Sequence, residues 1–159
     1  MTGGAGFIGS HFARQLVTNQ SQSYDITVID SLTYAGNLRN IEDLMGRERF
    51  NFINADICNS DIQDEIFIGA DSIVNFAAES HVDRSIDSSL EFIKTNIEGV
   101  HNLLLKALEF RIPKFLQIST DEVYGSISEG SWNEEFPLAP NSPYAASKAS
   151  ADLLVRSFN

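Results

Sequence analysis

The 159-residue chain has one cysteine, one tryptophan, four prolines and only 11 Lys and Arg against 22 Asp and Glu. A lone thiol, Cys58, forms no internal disulfide. With no His or second Cys at ligand spacing it makes no metal site either, so it is expected to be a small core residue and no metal is expected. A net charge of −11, with the basic residues scattered singly, leaves no positive stripe to neutralise a nucleic-acid backbone or an anionic lipid surface. Neither is an expected partner. No apolar run approaches the roughly 18 residues of a membrane span, and Met1 leads into Thr2-Gly3-Gly4 without a basic and apolar leader, so the expected location is cytoplasmic. Internal repeats, low-complexity tracts and Pro- or Gly-rich linkers are also missing. What is present is 43% hydrophobic content beside 21% charged residues, in a length that suits one globular domain spanning 1–159.

Four short apolar runs read as strands: Ile26 to Ile29, Phe50 to Ile53, Ile73 to Phe76 and Phe115 to Ile118. Helical patterns lie between them. Ile8, Phe12 and Leu16 recur every four residues, and Ile97, Val100, Leu104, Ala107 and Leu108 share one helical face. Strand and helix taking turns argues for an α/β fold, a parallel sheet covered by helices on both faces, because a right-handed crossover needs a helix-length connection. Ser126 to Pro143, with Pro137 and Pro140 inside it, reads as one long irregular loop.

Gly3, Gly6 and Gly9 are spaced for a tight turn, close approach of a diphosphate and close helix packing, just ahead of a helical pattern. Backbone N–H groups and the helix dipole attract phosphate there without any Lys or Arg, so an acidic chain can hold an anionic cofactor. Asp30 ends the next strand 21 residues after Gly9, near the spacing at which a carboxylate meets adenosine ribose hydroxyls and repels a 2′-phosphate. The expected cofactor is NAD rather than NADP. Asp56 either faces the adenine edge or is a solvated strand-end carboxylate.

Tyr144 and Lys148, four apart at the start of the last helical pattern, share a face. A Lys beside a Tyr favours the phenolate, which can then take a proton from a sugar hydroxyl as hydride leaves the carbon. Past the fourth strand, Ser119-Thr120-Asp121-Glu122-Val123-Tyr124-Gly125 places a hydroxyl and two adjacent carboxyls where α/β sheets keep ligands. Mutual repulsion and partial burial of Asp121 and Glu122 would keep one protonated and one ionised, a general acid and a general base suited to an elimination. After the third strand, Ala77 and Ala78 are small enough to admit a cofactor against the backbone. His81 and Arg84 are candidates for substrate contact, with Arg84 alternatively paired to Asp83 or Asp87.

Together TGGAGFIG, the strand-end Asp30, NFAAESHVDRS, STDEVYG and YAASK resemble the extended short-chain dehydrogenase/reductase family over essentially the whole chain. YxxxK and the glycine loop are shared across that family, whereas the Asp-Glu pair is specific to its sugar-nucleotide 4,6-dehydratases, with dTDP-glucose the expected substrate. The resemblance implies a Rossmann-like, doubly wound parallel sheet and a cycle in which NAD is regenerated. Tyr144 would take the sugar O4 proton, Glu122 the C5 proton, and Asp121 would protonate the departing C6 hydroxyl. Thr120 would hydrogen-bond near O4, and Lys148 would hold the nicotinamide ribose and tune Tyr144. The cofactor would be lined by Gly3, Gly6, Phe7, Ile8, Gly9, Asp30, Ser31, Leu32, Thr33, Asp56, Ile57, Phe76, Ala77, Ala78, Glu79, Ser80, Thr95, Tyr144 and Lys148. The same resemblance implies a homodimer through helices near Ile97 to Phe110 and Tyr144 to Phe158. Alternatives are another NAD-dependent sugar-nucleotide dehydratase, an epimerase, a decarboxylase, or a non-catalytic dinucleotide-binding module.

Family members are considerably longer, and their carboxyl-terminal half carries much of the sugar-nucleotide pocket. Only Met1 and Thr2 precede the glycine loop, where a strand is expected. In a 3-2-1-4 order that strand is central, and each buried backbone group left unpaired costs roughly 1 to 3 kcal/mol. The chain is therefore expected to be a partial domain that folds poorly by itself.

Overall fold

The computed structural model describes residues 1–19, 21–59 and 62–158. Strands β1 (Ile26–Asp30) and β2 (Phe50–Asn54) pair in parallel, Ile26 opposite Phe50 and Asp30 opposite Asn54. Strands β3 (Ile73–Asn75) and β4 (Phe115–Gln117) pair likewise, Ile73 opposite Phe115. Between the two pairs lies Thr2, bridged in parallel to Ile29 of β1 and Asn75 of β3. The order across the sheet is thus β2, β1, Met1–Thr2, β3, β4.

The expected bare inner edges are met by these first residues at the carboxyl ends of both strands. The Gly3 N–H donates to Ile29 O at 2.9 Å and Ile29 N–H to Met1 O at 2.8 Å. On the other side Thr2 N–H donates to Val74 O at 3.0 Å and Phe76 N–H to Thr2 O at 3.1 Å. The buried Thr2 hydroxyl donates to Asn75 Oδ1, and Asn75 Nδ2 reaches Gln117 Oε1 at 2.8 Å, so one polar thread crosses three positions of the sheet. The glycine loop leaves the sheet from this stitched position.

Alternation along β1 proves the sheet is covered on both faces. Val28 belongs to a cluster with Ala5, Ala13, Ile26, Ile41, Leu44 and Phe50, while its neighbour Ile29 belongs to another with Ile57, Phe67, Ile73, Leu103 and Ile112. Adjacent strand residues point to opposite faces, so two apolar neighbours buried in separate clusters require cover on each. Helix α1 (Phe7–Thr18) and a 3-10 turn (Leu38–Leu44) cover the first face. On the second, α2 (Val82–Asp87) and α3 (Ser89–Ile93) lead through a π turn (Lys94–Glu98) into α4 (Gly99–Glu109). Helix α5 (Pro143–Ser157) packs Ala151 against Val100 and Leu104 of α4.

Three local expectations need correction. On α1 the buried residues are Gly9, Ser10 and Ala13, whereas Ile8 is 63% exposed. The buried face begins at Gly9, where an added methyl would stand 2.2 Å from Gly3 O, so only small residues fit there. On α4, Val100, Leu104 and Ala107 are buried as expected, but Leu108 is exposed and Leu103 takes its place. Leu103 lies on the side of this stripe that packs into the cluster with Ile29 and Ile73, and Leu108 is not part of that cluster. Pro143 does not end the loop but opens α5 at its first turn, behind Ser142, whose Oγ accepts from Ala145 N–H at 3.0 Å. Cys58 is half-buried against the second cluster, with burial first among the causes that push its thiol up to about 11.

Candidate active site

The carboxyl ends of β1 and β3 open a cleft over the glycine loop, where a parallel α/β sheet reverses strand order and keeps its ligands. Gly3 and Gly6 form its floor. One lip carries Asp30, Ser31 and Thr33, the other Phe76, Ala77, Ala78 and Glu79, with Asp56, Ile57 and Thr95 behind. Each of these is among the expected cofactor residues. Ile29, Ala35, Gly36 and Ala55 line the cleft as well and were not anticipated. Phe7, Ile8, Gly9, Leu32, Ser80, Tyr144 and Lys148 do not line it. For Phe7, 89% exposed, and Ile8 the contribution left to this chain is backbone N–H, because Gly6 caps α1 with no side chain.

Asp30 is buried and fully engaged in shaping one lip. Its Oδ2 accepts from Ala5 N–H and its Oδ1 from Leu32 N–H, both at 2.9 Å. Leu32 is thereby held at φ 52, the left-handed region that a branched side chain enters only under constraint. A carboxylate has about four lone-pair sites, so two N–H donors leave capacity for a ribose diol. Asp56 uses Oδ1 to accept from Cys58 N–H at 2.9 Å, a local turn at the cleft edge. Together, the glycine floor, the uncapped first turn of α1 and the buried carboxylate with spare acceptors fit a dinucleotide with a free ribose 2′-hydroxyl.

Beside the cleft stand the reactive side chains. Tyr144 is buried, its ring edge-on to Phe92 with centroids 6.3 Å apart, and its backbone N–H is held by Ser85 Oγ at 3.1 Å. Burial raises the phenol pKa, a Thr120 hydrogen bond opposes this, and the carboxylates of Glu122 and Asp121 and the phenol of Tyr34 raise it further. The element that carries Thr120, Asp121 and Glu122 packs against α5, the helix of Tyr144. The three sit at the start of a 3-10 turn (Asp121–Tyr124), where Thr120 Oγ1 accepts from Glu122 N–H at 3.3 Å.

Lys148 is buried one turn along and donates to Ile118 O at 2.5 Å; burial lowers its pKa, with Asp152 opposing. Lys148 is not among the groups that shift Tyr144 here, since its ammonium donates to a carbonyl, and burial leads at the phenol. Asp121 is exposed and Glu122 only half-buried. The burial expected to divide the roles of the two acids is not supplied by the described residues, and position alone distinguishes them. Arg84 pairs with neither Asp83 nor Asp87. Its Nη2 lies 3.4 Å from Glu91 and its Nη1 3.8 Å from Glu79. His81 precedes α2 without capping it and is exposed.

Sequence reasoning missed the brace beneath the site. Asn96, in the π turn, is 1% exposed; its Oδ1 accepts from Glu79 N–H at 2.8 Å, and its Nδ2 donates to Glu79 O at 2.9 Å and to Ser147 Oγ at 2.8 Å. Ser147 Oγ in turn donates to Tyr144 O at 2.7 Å. One amide therefore ties a cleft lip to the helix that carries Tyr144 and Lys148. The available signal was an Asn four residues after Phe92 and four before Val100 on an otherwise apolar face. Asn96→Ala leaves the Glu79 backbone groups unpaired and is expected to lower stability by about 1 to 3 kcal/mol in a denaturant melt; an unchanged midpoint would count against the brace.

A glycine-floored dinucleotide cleft beside a Tyr-Lys pair on one helix defines a Rossmann-type dinucleotide-binding domain. The family model described as GDP-mannose 4,6 dehydratase matches residues 1–159. The chain belongs to that family. It is 50% identical over 157 residues to a dTDP-glucose 4,6-dehydratase of Streptomyces niveus, covering 97% of this chain and 47% of that protein. It is 51% identical over 158 residues to the low-salt glycan biosynthesis protein Agl12 of Haloferax volcanii, covering 99% and 50%. Among solved structures, a Streptomyces venezuelae dTDP-glucose 4,6-dehydratase with NAD bound superposes with a TM-score of 0.94 at 49% identity, over 99% of this chain and 50% of that one. A UDP-glucuronic acid 4-epimerase of Bacillus cereus superposes at 0.89 but with 31% identity, over 99% and 50%. The chain spans about half the length of the curated relatives it matches. Among the described residues no helix is long and apolar enough to cross a membrane.

Proposed function

We propose that residues 1–159 form the NAD-binding and catalytic part of a dTDP-glucose 4,6-dehydratase. The observation that carries the proposal is the turn Thr120-Asp121-Glu122 packed against the helix of Tyr144: an acid pair beside a phenol placed to act as base suits elimination, which an epimerase does not perform. Gly3, Gly6, Asp30, Ser31, Thr33, Asp56, Ile57, Thr95 and the segment Phe76 to Glu79 would hold NAD, along with backbone N–H groups of Phe7 and Ile8. Bound NAD supplies a hydride acceptor at C4 and a donor at C6, so no external oxidant is consumed.

The protein's own groups do the rest. Thr120 and Tyr144 engage the sugar O4, and Tyr144 takes its proton. Lys148, fixed through Ile118 O, keeps a positive charge beside that phenol's helix face. The 4-ketone acidifies the C5 proton, which Glu122 removes, while Asp121 protonates the C6 hydroxyl as it leaves as water. Return of the hydride to C6, with a proton delivered to C5, would then give a 4-keto-6-deoxy sugar, lighter by one water.

Incubating the gene product that carries this chain with dTDP-glucose, GDP-mannose or UDP-glucose, and weighing the products, tests the reading. Loss of one water from dTDP-glucose, in preference to the other two, is expected. Preference for GDP-mannose would replace the substrate, and a mass-neutral change of UDP-glucose would replace the reaction. The buried Asp30 carboxylate predicts tighter binding of NAD than of NADP, and Asp30→Asn is expected to narrow the gap by about 10- to 100-fold, the worth of a charged hydrogen bond. Equal affinities in the unaltered protein, measured by titration, would refute that role.

A further inference from the structure

The two lips of the cleft touch above its floor. From the lip after β1, Tyr34 offers its ring to Arg84 of the other lip, with the guanidinium carbon 4.3 Å from the ring centroid. His81 packs against the same ring, centroids 6.2 Å apart at 56°. Tyr34 stands between Thr33 and Ala35, both of which line the cleft, and Arg84 is anchored from below by Glu79, which lines the opposite side. Glu79 is buried, and its Oε2 finds no hydrogen-bond partner among the described residues, so the guanidinium 3.8 Å away is the cation that faces it. Glu91 holds the second Nη at 3.4 Å.

We propose that Tyr34 and Arg84 form a clasp across the cleft that slows release of a bound dinucleotide. The inference rests on the dehydratase reading, in which the cofactor ends each cycle as it began and gains nothing by leaving. A molecule lying on Gly3 and Gly6, with its ribose at Asp30, runs beneath the bridge and leaves only when the bridge opens. A cation over an aromatic face is favourable by about 0.5 to 2 kcal/mol, which corresponds to about a 3- to 30-fold change in release rate.

The test uses the full gene product loaded with radiolabelled NAD and chased with excess unlabelled NAD. Tyr34→Ala and Arg84→Gln are each expected to speed release by about 3- to 30-fold, and the double variant to be no faster than the faster single one, because both remove one bridge. Tyr34→Phe keeps the ring and is expected to release NAD at the unaltered rate. Release unchanged in both single variants, or strictly additive effects, or the same acceleration in Tyr34→Phe, would overturn the clasp. Both side chains are about half exposed, so the variants are expected to fold; either one alone tests the bridge from its own lip. Failure of dTDP-glucose turnover with normal release kinetics would sink the dehydratase reading separately, since release is measured without sugar.

Discussion

Tyr144→Phe is expected to lower kcat for dTDP-glucose by about 10³-fold, the middle of the range for loss of a positioned general base. Tyr144 is buried and its backbone is braced through Ser85 and Ser147, and the neighbouring Thr120 hydroxyl is an alcohol, far too weak an acid to stand in for a phenol as base. The pH dependence follows from signs. Burial raises the Tyr144 pKa and lowers that of Lys148. Activity needs the first as acceptor and the second as cation, so the rate climbs with pH toward the raised phenol value and falls where the ammonium is lost. Stability follows linkage. The Tyr144 contribution is complete below the unfolded phenol value and is lost as pH rises through the folded one. The Lys148 burial penalty applies below its lowered folded value and is relieved as pH rises toward the unfolded one. A pH profile of kcat/KM rising from neutrality is expected. Retention of more than about a tenth of kcat by Tyr144→Phe would remove the phenol from its role.

The second large effect belongs to Gly9. A methyl there would stand 2.2 Å from Gly3 O and 3.0 Å from Gly3 C, both backbone atoms of the loop that stitches the sheet. Backbone cannot rotate aside as a side chain can, so Gly9→Ala is expected to cost about 3 kcal/mol, the high end for overpacking, and to abolish NAD binding with it. Gly6 provides the contrast. Its added methyl would meet Gly3 O at 3.3 Å, a contact relieved by a small shift, and would occupy the cleft floor. Gly6→Ala is therefore expected to fold with a melting temperature near that of the unaltered chain yet to bind NAD poorly. Equal stability of the two variants would mean that the loop is not packed as described.

Much of this was legible in the residues. β1 fell on its apolar run because Val28 and Ile29 must both be buried, on opposite faces, so the run is nearly continuous in apolar residues. Helix α1 was legible as a helix but not in its orientation. Periodicity follows bulk, and here the closest approach is made by Gly9, Ser10 and Ala13. At the site, the glycine floor, Asp30 and the Thr120-Asp121-Glu122 turn could be read from spacing because local backbone sets them. Asn96 and Ser85 could not, since what they serve are main-chain groups of Glu79 and Tyr144, 17 and 59 positions away. The alternative pairing of Arg84 with Asp83 or Asp87 failed for a related reason. Sequence neighbours Asp83 and Asp87 sit on its own short helix, but the charges that meet it are Glu79 before that helix and Glu91 beyond it.

Turnover in deuterium oxide probes the convergence of phenol and acids on one sugar most directly. The unaltered gene product is expected to yield a 4-keto-6-deoxy sugar carrying one solvent deuterium at C5, and Glu122→Gln to yield almost none of it. A product with hydrogen retained at C5, or a sugar inverted at C4 with no water lost, would contradict the account.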